Sequence, residues 1–154
     1  MKNVLLMLCF ALILCVQMQA QDSTKQTIKT VIDAKHFVFQ PTTMTPSKGR
    51  TKHLDLGYFF KVNGDTLKVD LPYVGRAYSA PVDPSDAGFH FTSTDYTYTV
   101  TEGKKKSYDI VVKTKDKTSN ADFYLTVYDN GTAYLRINSS DRESISFNGD
   151  LKEK

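Results

Sequence analysis

Apolar and polar residues alternate along most of the chain after Pro41, and this period of two predicts β-strands with one buried face. The two clearest segments are 54–62 and 67–73, in which every second position is apolar. Shorter segments of the same kind predict further strands, about eight in all, at 37–39, 96–100, 108–112, 123–127, 133–137 and 145–147. Strands so close in sequence pair as antiparallel hairpins, and one such hairpin surrounds Gly103.

The turn at Asn63-Gly64 sets the register of the first clear hairpin. A two-residue loop there places Phe60 opposite Leu67 and Leu56 opposite Leu71, so that the apolar residues share a face. A three-residue loop would place each apolar residue opposite a polar one. The pattern therefore predicts a tight type I′ hairpin.

The turn at 129–131 predicts a different loop. With two loop residues Leu125 would face Arg136, whereas with three it faces Leu135. We therefore predict a three-residue loop that ends with Gly131 in the left-handed region as a bulge.

One segment predicts a helix. From residue 23 to 37 the apolar residues Ile28, Val31 and Ile32 recur at three- and four-residue spacing, and Lys35 stands at the next position of the same stripe. Ser23 or Thr24 is the expected cap. We assign residues 21–36 to this helix and 37–151 to an antiparallel β domain that forms one unit with it. The fold class is mainly β with one helix (α+β): a curved antiparallel sheet or open barrel, with the amphipathic helix packed on it.

The first twenty residues have the composition of a secretory signal. Lys2 supplies positive charge, residues 4–16 form an apolar run, and Ala20 is a small residue suited to cleavage. The run is shorter than the roughly 20 residues that a transmembrane helix needs. We expect an exported protein, periplasmic or extracellular, that is cleaved near Ala20 and keeps no transmembrane segment.

Both cysteines, Cys9 and Cys15, lie in this signal. Lipid attachment at Cys15 is the alternative to simple cleavage, but lipidation signals require a small residue before the cysteine and Leu14 stands there. The mature chain of about 134 residues therefore contains no cysteine. Disulfides, thiol catalysis and cysteine-ligated metals are excluded, and the hydrophobic core must hold the domain.

Charge and motifs limit the function further. Without the signal the chain has 19 basic and 17 acidic residues, a net charge of +2, which predicts no nucleic-acid partner. His36, His53 and His90 show no metal-ligand spacing, and Asp83 and Asp86 lack the acidic ladder of a calcium loop. We expect no metal, no cofactor and no enzyme activity. A hydrolase, with one of these histidines as base, is the less favoured alternative.

Two sets of residues are candidates for binding. The first, Tyr73, Arg76 and Tyr78, lies between two prolines, where such side chains hold carboxylates, phosphates or sugars, or lock the loop onto the sheet. The second is the outward face of the bulged hairpin, either a contact surface or the seat of another structural layer. Its register places Tyr124 opposite Arg136 and Thr126 opposite Tyr134.

Segments 71–81, 91–96 and 138–149 resemble the exported bacterial family known as domain of unknown function 4251. The resemblance runs from about Phe37 to Leu151. It implies small exported proteins of Gram-negative bacteria in a cell-envelope setting, and it brings no activity, ligand or catalytic residue. It also implies that the loop of Arg76 and the turn of Arg142 belong to the family pattern.

The leading hypothesis is a non-enzymatic periplasmic domain that binds a small ligand or an envelope protein through its tyrosine- and arginine-bearing residues. The alternative is a structural or assembly protein of the envelope without a small ligand. We expect the loops of Arg76 and Arg142 to meet at one rim. Each arginine should brace its loop through backbone carbonyls or an acid such as Asp95 or Asp141.

Overall fold

A computed structural model describes residues 28–78, 88–104, 106–115 and 121–153. The predicted signal at 1–20, the cap at Ser23 or Thr24 and the turn at 83–86 lie outside these residues. The described part contains a short helix, α1 (28–33), and ten strands. The strands are β1 (His36–Pro46), β2 (Lys52–His53), β3 (Phe59–Asn63), β4 (Thr66–Leu71), β5 (Phe89–Ser93), β6 (Tyr96–Glu102), β7 (Ser107–Thr114), β8 (Ala121–Tyr128), β9 (Thr132–Ser139) and β10 (Ile145–Glu153).

The strands form one antiparallel sheet with the order β5-β4-β3-β1-β10-β9-β8-β7-β6, and β2 pairs with β1 outside this path. β5 and β6 lie at the two ends of the order and run in the same direction, because an even number of antiparallel steps separates them. Thr94 and Asp95 alone lie between them in sequence. They are therefore two halves of one bent strand, which pairs first with β4 and then with β7. This arrangement brings the sheet close to a closed barrel.

The predicted architecture is confirmed in its main features: mainly β, with one curved antiparallel sheet and one short helix. The strand count is higher than the predicted eight, because β2 and β5 were missed. β2 has two exposed residues. In β5 the inward positions are Phe89, Phe91 and the fully buried Ser93, and this polar residue hides the alternation. His90 lies between the two phenylalanines and is exposed, as predicted.

Side chains fill the interior of the barrel. The largest fully buried ones are Phe37, Phe39, Phe60, Phe123, Phe147, Ile32, Leu67, Leu71, Ile110, Leu125, Leu135 and Ile137. The Phe123 ring lies 5.3 Å from the Phe60 ring and 5.9 Å from the Phe91 ring, centroid to centroid, so strands from distant parts of the sequence meet. Each such side chain stabilises the fold by about 1.5–3 kcal/mol through burial.

Helix α1 packs on this core through Ile28, Val31 and Ile32, which are all buried as their spacing predicts. The Tyr98 hydroxyl on β6 donates a hydrogen bond to the carbonyl of Ile32 at 2.9 Å. Lys35 has a φ of +53°, a left-handed conformation that ends the helical path. β1 then begins at His36, so the strand starts earlier than the boundary predicted after residue 36.

The hairpin of β3 and β4 has a two-residue loop, as predicted, but its register differs. Phe60 lies opposite Val69 rather than Leu67. The loop is Gly64-Asp65 instead of Asn63-Gly64. Gly64 has a φ of +61° and the φ of Asp65 is not positive, which is the pattern of a type II′ turn rather than type I′.

Strand β3 is also shorter than the alternation predicts. It begins at Phe59, and Leu56 is 97% exposed instead of facing Leu71 in the core. Gly57, with a φ of +123°, takes a backbone conformation that interrupts an extended strand. The predicted position of Leu56 is therefore wrong.

The hairpin of β8 and β9 has the predicted register. Leu125 lies opposite Leu135, and Tyr124 lies opposite Arg136. Gly131 ends the three-residue loop with a φ of +87°, as expected for the bulge. The hairpin around Gly103 likewise pairs apolar residues of β6 and β7, with Val100 opposite Ile110.

Candidate functional site

The loops of Arg76 and Arg142 meet at one rim of the barrel, as predicted. An isolated antiparallel bridge joins Ala77 to Arg142. The Tyr78 amide donates to the carbonyl of Asp141 at 2.7 Å, and the Glu143 amide donates to the carbonyl of Arg76 at 3.0 Å. Backbone hydrogen bonds therefore hold together two segments that lie about 65 residues apart in sequence.

Arg142 is the centre of this contact. Its Nε and Nη2 donate to the two carboxylate oxygens of Asp141 at 3.2 and 3.1 Å, and its Nη1 donates to the carbonyl of Gly88 at 3.3 Å. The guanidinium carbon lies 5.1 Å from the ring centroid of Tyr73 and 4.9 Å from that of Phe89. The side chain is 16% exposed. The predicted contacts of Arg142 with an acid and with a backbone carbonyl are confirmed.

Asp141 and Tyr73, which contact Arg142, also use their polar side-chain atoms within the protein. Burial acts to raise the pKa of Asp141, but hydrogen bonds donated by Arg142 and the Ser139 hydroxyl outweigh it and lower this pKa below its ordinary value. The Tyr73 hydroxyl lies within hydrogen-bond distance of the carbonyls of Arg76 and Glu143. Burial raises the pKa of the Tyr73 phenol, which keeps it a donor.

Arg76 does not fit the bracing prediction. Its side chain is exposed and makes no hydrogen bond or ion pair with any residue that the structure describes. Its loop is held by its backbone carbonyl, which accepts from Tyr73 and Glu143. Tyr78, on the same loop, is 65% exposed. Of the three candidates here, Tyr73 is part of the scaffold, whereas the side chains of Arg76 and Tyr78 are exposed.

The second candidate set lies on the outer face of β8, β9 and β10. Tyr124 pairs with Arg136, which pairs in turn with Ser146 on β10. Tyr124 is half-buried and its hydroxyl approaches the carboxylate of Asp122 at 3.4 Å. Arg136 is exposed and donates from Nε to Asn138 at 3.1 Å. This face carries no covering layer among the described elements, so it is accessible surface.

A groove of about 370 Å³ opens on the same outer face, beyond Arg136 toward the turn at 129–131. Two irregularities in the pairing of β1 with β10 lie beside this groove. Thr42 is an extra residue in β1 where the pairing with β10 shifts between Pro41 and Thr43. Opposite this bulge, Gly149 has no side chain, and a Cβ built there would lie 2.0 Å from the carbonyl oxygen of Gln40.

The side chains that line the groove combine aromatic rings and small polar groups. Tyr128 and Tyr134 are 38% and 37% exposed. Thr132, Asn148 and Asp150 provide a hydroxyl, an amide and a carboxylate around them. The structure therefore brings Tyr134 into a recess but leaves Tyr124 and Arg136 on the adjoining open face.

The sequence analysis missed Thr42, Asn148, Gly149 and Asp150. Two signals pointed to them. Pro41 lies inside a strand, where proline marks a bulge or an edge, and Gly149 lies in the middle of another strand, where glycine marks close backbone approach.

The three histidines are exposed and far apart in the fold. Nδ1 of His90 lies 2.8 Å from a carboxylate oxygen of Asp70 across β4 and β5. In the described part of the chain no serine or threonine hydroxyl is hydrogen-bonded to His90. Within the same residues there is no cluster of three His, Cys, Asp or Glu side chains suited to a metal ion. No described helix is both long and apolar enough to cross a membrane.

Comparison with solved structures shows the same fold elsewhere. A crystal structure of a DUF4251 family protein from Bacteroides eggerthii DSM 20697 superposes with a TM-score of 0.62 at 15% sequence identity, over 85% of this chain and 88% of that chain. No curated protein matches the chain. The family model described as "Domain of unknown function (DUF4251)" matches residues 19–151, and the chain therefore belongs to that family.

Proposed function

We propose that this chain is an exported, non-enzymatic domain of the cell envelope that binds a small ligand through the groove on its outer face. The groove is the observation that carries the proposal: at about 370 Å³ it falls within the range of ligand sites, about 300–1,000 Å³. The signal-like segment at 1–20 supports export, and the family resemblance supports an envelope setting.

The rim where the loops of Arg76 and Arg142 meet is a poorer ligand site than the groove. Arg142, Asp141 and Tyr73 already use their polar atoms within the protein, so their replacement would affect folding before it affects binding. The groove residues differ, because Tyr128, Tyr134 and Asp150 present polar atoms that make no hydrogen bond to other described residues. Free polar atoms beside half-exposed rings are what a small-molecule site requires.

A thermal-shift screen tests the proposal. The purified protein, expressed from the full chain, is heated with sugars, peptides, bile acids and envelope fragments, and stabilising compounds are titrated. We expect stabilisation by at least one class in the parent protein and its loss in Tyr134→Ala. The matched control is Tyr78→Ala, which removes an exposed tyrosine from the opposite rim and should keep the response. Silence across all classes would contradict small-ligand binding.

A second candidate function is assembly with an envelope protein, without a small ligand. Tyr124 and the exposed Arg136 favour it, because they extend the surface beyond the groove along the outer face of β8 and β9. Tyrosine and arginine are enriched among residues that dominate protein interfaces. Pull-down from envelope extract separates the two candidates: a stoichiometric protein that is lost with Arg136→Ala supports assembly.

A further inference from the structure

The polar groups in the groove identify the class of ligand. Resting on the proposed function, we propose that the groove binds a neutral sugar, with one pyranose ring against Tyr134 and its hydroxyls on Asn148 and Asp150. A sugar ring has an apolar face of C–H groups and a rim of hydroxyls. It therefore needs an aromatic surface next to groups that accept and donate hydrogen bonds.

Tyr134 supplies the aromatic surface. It lies on β9 between Thr126 of β8 and Asn148 of β10, and it is 37% exposed. Part of its ring is therefore open to solvent and available to a ligand. Tyr128, at the end of β8 and 38% exposed, borders the same groove, so a ligand meets aromatic surface on two sides.

Asn148 and Asp150 supply the polar contacts from β10. Their side chains emerge on the same side of the strand, because they are two positions apart along a period of two, with only Gly149 between them. The Asn148 amide nitrogen donates one hydrogen bond to the Thr43 hydroxyl at 3.5 Å, and the amide keeps a second N–H donor and an oxygen acceptor for a ligand. The carboxylate of Asp150 accepts only, and it makes no hydrogen bond or ion pair with the residues that the structure describes. A free carboxylate beside an amide matches two neighbouring hydroxyls of a sugar.

Charge excludes the acidic ligands. None of the described side chains that line the groove is a lysine or an arginine, and Asp150 places a negative charge there. Phosphates, uronic acids and other anions in the groove would meet the negative charge of Asp150, and Arg136, on the adjoining face, is not among the lining residues. A neutral polyol is not penalised in this way. An amine is the competing ligand class that the charge would also favour.

NMR titration of the ¹⁵N-labelled protein, expressed from the full chain, tests the inference. The probes are neutral hexoses, N-acetylated hexosamines and their short oligosaccharides, with diamines and basic peptides as the competing class. We expect neutral sugars to shift the amides of 132–134 and 148–150 in a saturable manner. Stronger binding of oligosaccharides than of monosaccharides would identify a glycan as the source, and the reverse a free sugar.

Three variants define the contacts. Tyr134→Ala should weaken sugar binding about tenfold, whereas Tyr134→Phe keeps the ring and should stay within about threefold of the parent. Asp150→Asn should weaken sugar binding without abolishing it, and added salt should have little effect because the ligand is neutral. Thermal unfolding of each variant reports whether the fold is retained.

The outcomes separate this inference from the function on which it rests. If only amines shift these amides, and salt or Asp150→Asn abolishes the effect, the sugar inference is overturned while small-ligand binding at the groove stands. If sugars bind but Tyr134→Ala changes nothing, the groove is not their site. If no compound shifts these amides, the inference and the proposed small-ligand function both fail.

Discussion

Arg76 and Arg142 lie on two loops that touch, yet their surroundings give them different roles. Arg142 is largely buried, with a bidentate contact to Asp141 and two aromatic rings against it. Arg76 is exposed, and within the described part of the chain its guanidinium has no partner. A charge-assisted hydrogen bond contributes to stability only where water is displaced from the pair. The two arginines therefore provide a matched test of bracing.

Arg142→Ala should destabilise the protein, and Arg76→Ala should not. The first change leaves the partly buried carboxylate of Asp141 and the carbonyl of Gly88 without this donor, at a cost of about 1.5–3 kcal/mol. At about 2 to 4 °C per kcal/mol, the melting temperature should fall by several degrees. Arg76→Ala should stay within about 0.5 kcal/mol of the parent. Circular dichroism melts compare them, and equal shifts would contradict the bracing role.

At the scale of the elements, the sequence predicted the register of the β8–β9 hairpin correctly and that of the β3–β4 hairpin wrongly, and the difference has a physical reason. Loops at Asn63-Gly64 and at Gly64-Asp65 both keep the apolar residues on one face, so the parity of the alternation cannot choose between them. At 129–131 the alternatives differ in parity, because one of them places Leu125 opposite Arg136. Parity was decisive there, and the predicted register is the observed one.

The alternation of apolar and polar residues could not predict the groove. Its shape depends on a bulge in β1 and a glycine in β10, which are more than 100 residues apart in sequence. Local alternation describes each strand separately and carries no information about which strand lies beside which. The meeting of the arginine loops was predictable in outline, since strand ends of an antiparallel meander gather at shared rims. The difference between Arg76 and Arg142 depends on burial that the sequence does not show.

Gly149→Ala tests whether the close pairing of β1 and β10 beside the bulge requires a residue without a side chain. The added Cβ would lie 2.0 Å from the Gln40 carbonyl oxygen and 2.7 Å from the Cα of Pro41, both backbone atoms that cannot turn away. We expect destabilisation of about 1–3 kcal/mol or more, measured by urea denaturation. Asp150→Ala, on the exposed face of the same strand, is the control and should change stability by less than about 0.5 kcal/mol. Equal stability of both variants would show that the strands separate freely there.

For the whole molecule, two features bring the open sheet close to a closed barrel. The bent strand formed by β5 and β6 joins the two ends of the sheet order through Thr94 and Asp95. Helix α1 then packs on the core through residues such as Ile32, which is fully buried. Without this contact, Ile32 and the core side chains that the helix packs on would face water. The stability of the barrel and the docking of the helix are therefore coupled.

Tyr98→Phe tests this coupling, because the Tyr98 hydroxyl joins β6 to the Ile32 carbonyl of the helix at 2.9 Å. The change removes that hydrogen bond and should cost about 1–2 kcal/mol at neutral pH, with faster hydrogen exchange in 28–33.

Burial raises the pKa of Tyr98 above its ordinary value. The folded state therefore keeps the phenol proton at a pH where the unfolded state loses it. The parent's stability is complete below about pH 10 and falls as the pH rises further. Phenylalanine cannot ionise, so the difference between parent and variant should narrow above about pH 10. Tyr134→Phe, on the exposed outer face, is the control and should leave the exchange rates of 28–33 unchanged. Parallel pH profiles for Tyr98→Phe and the parent would show that this hydroxyl does not hold the helix on the barrel.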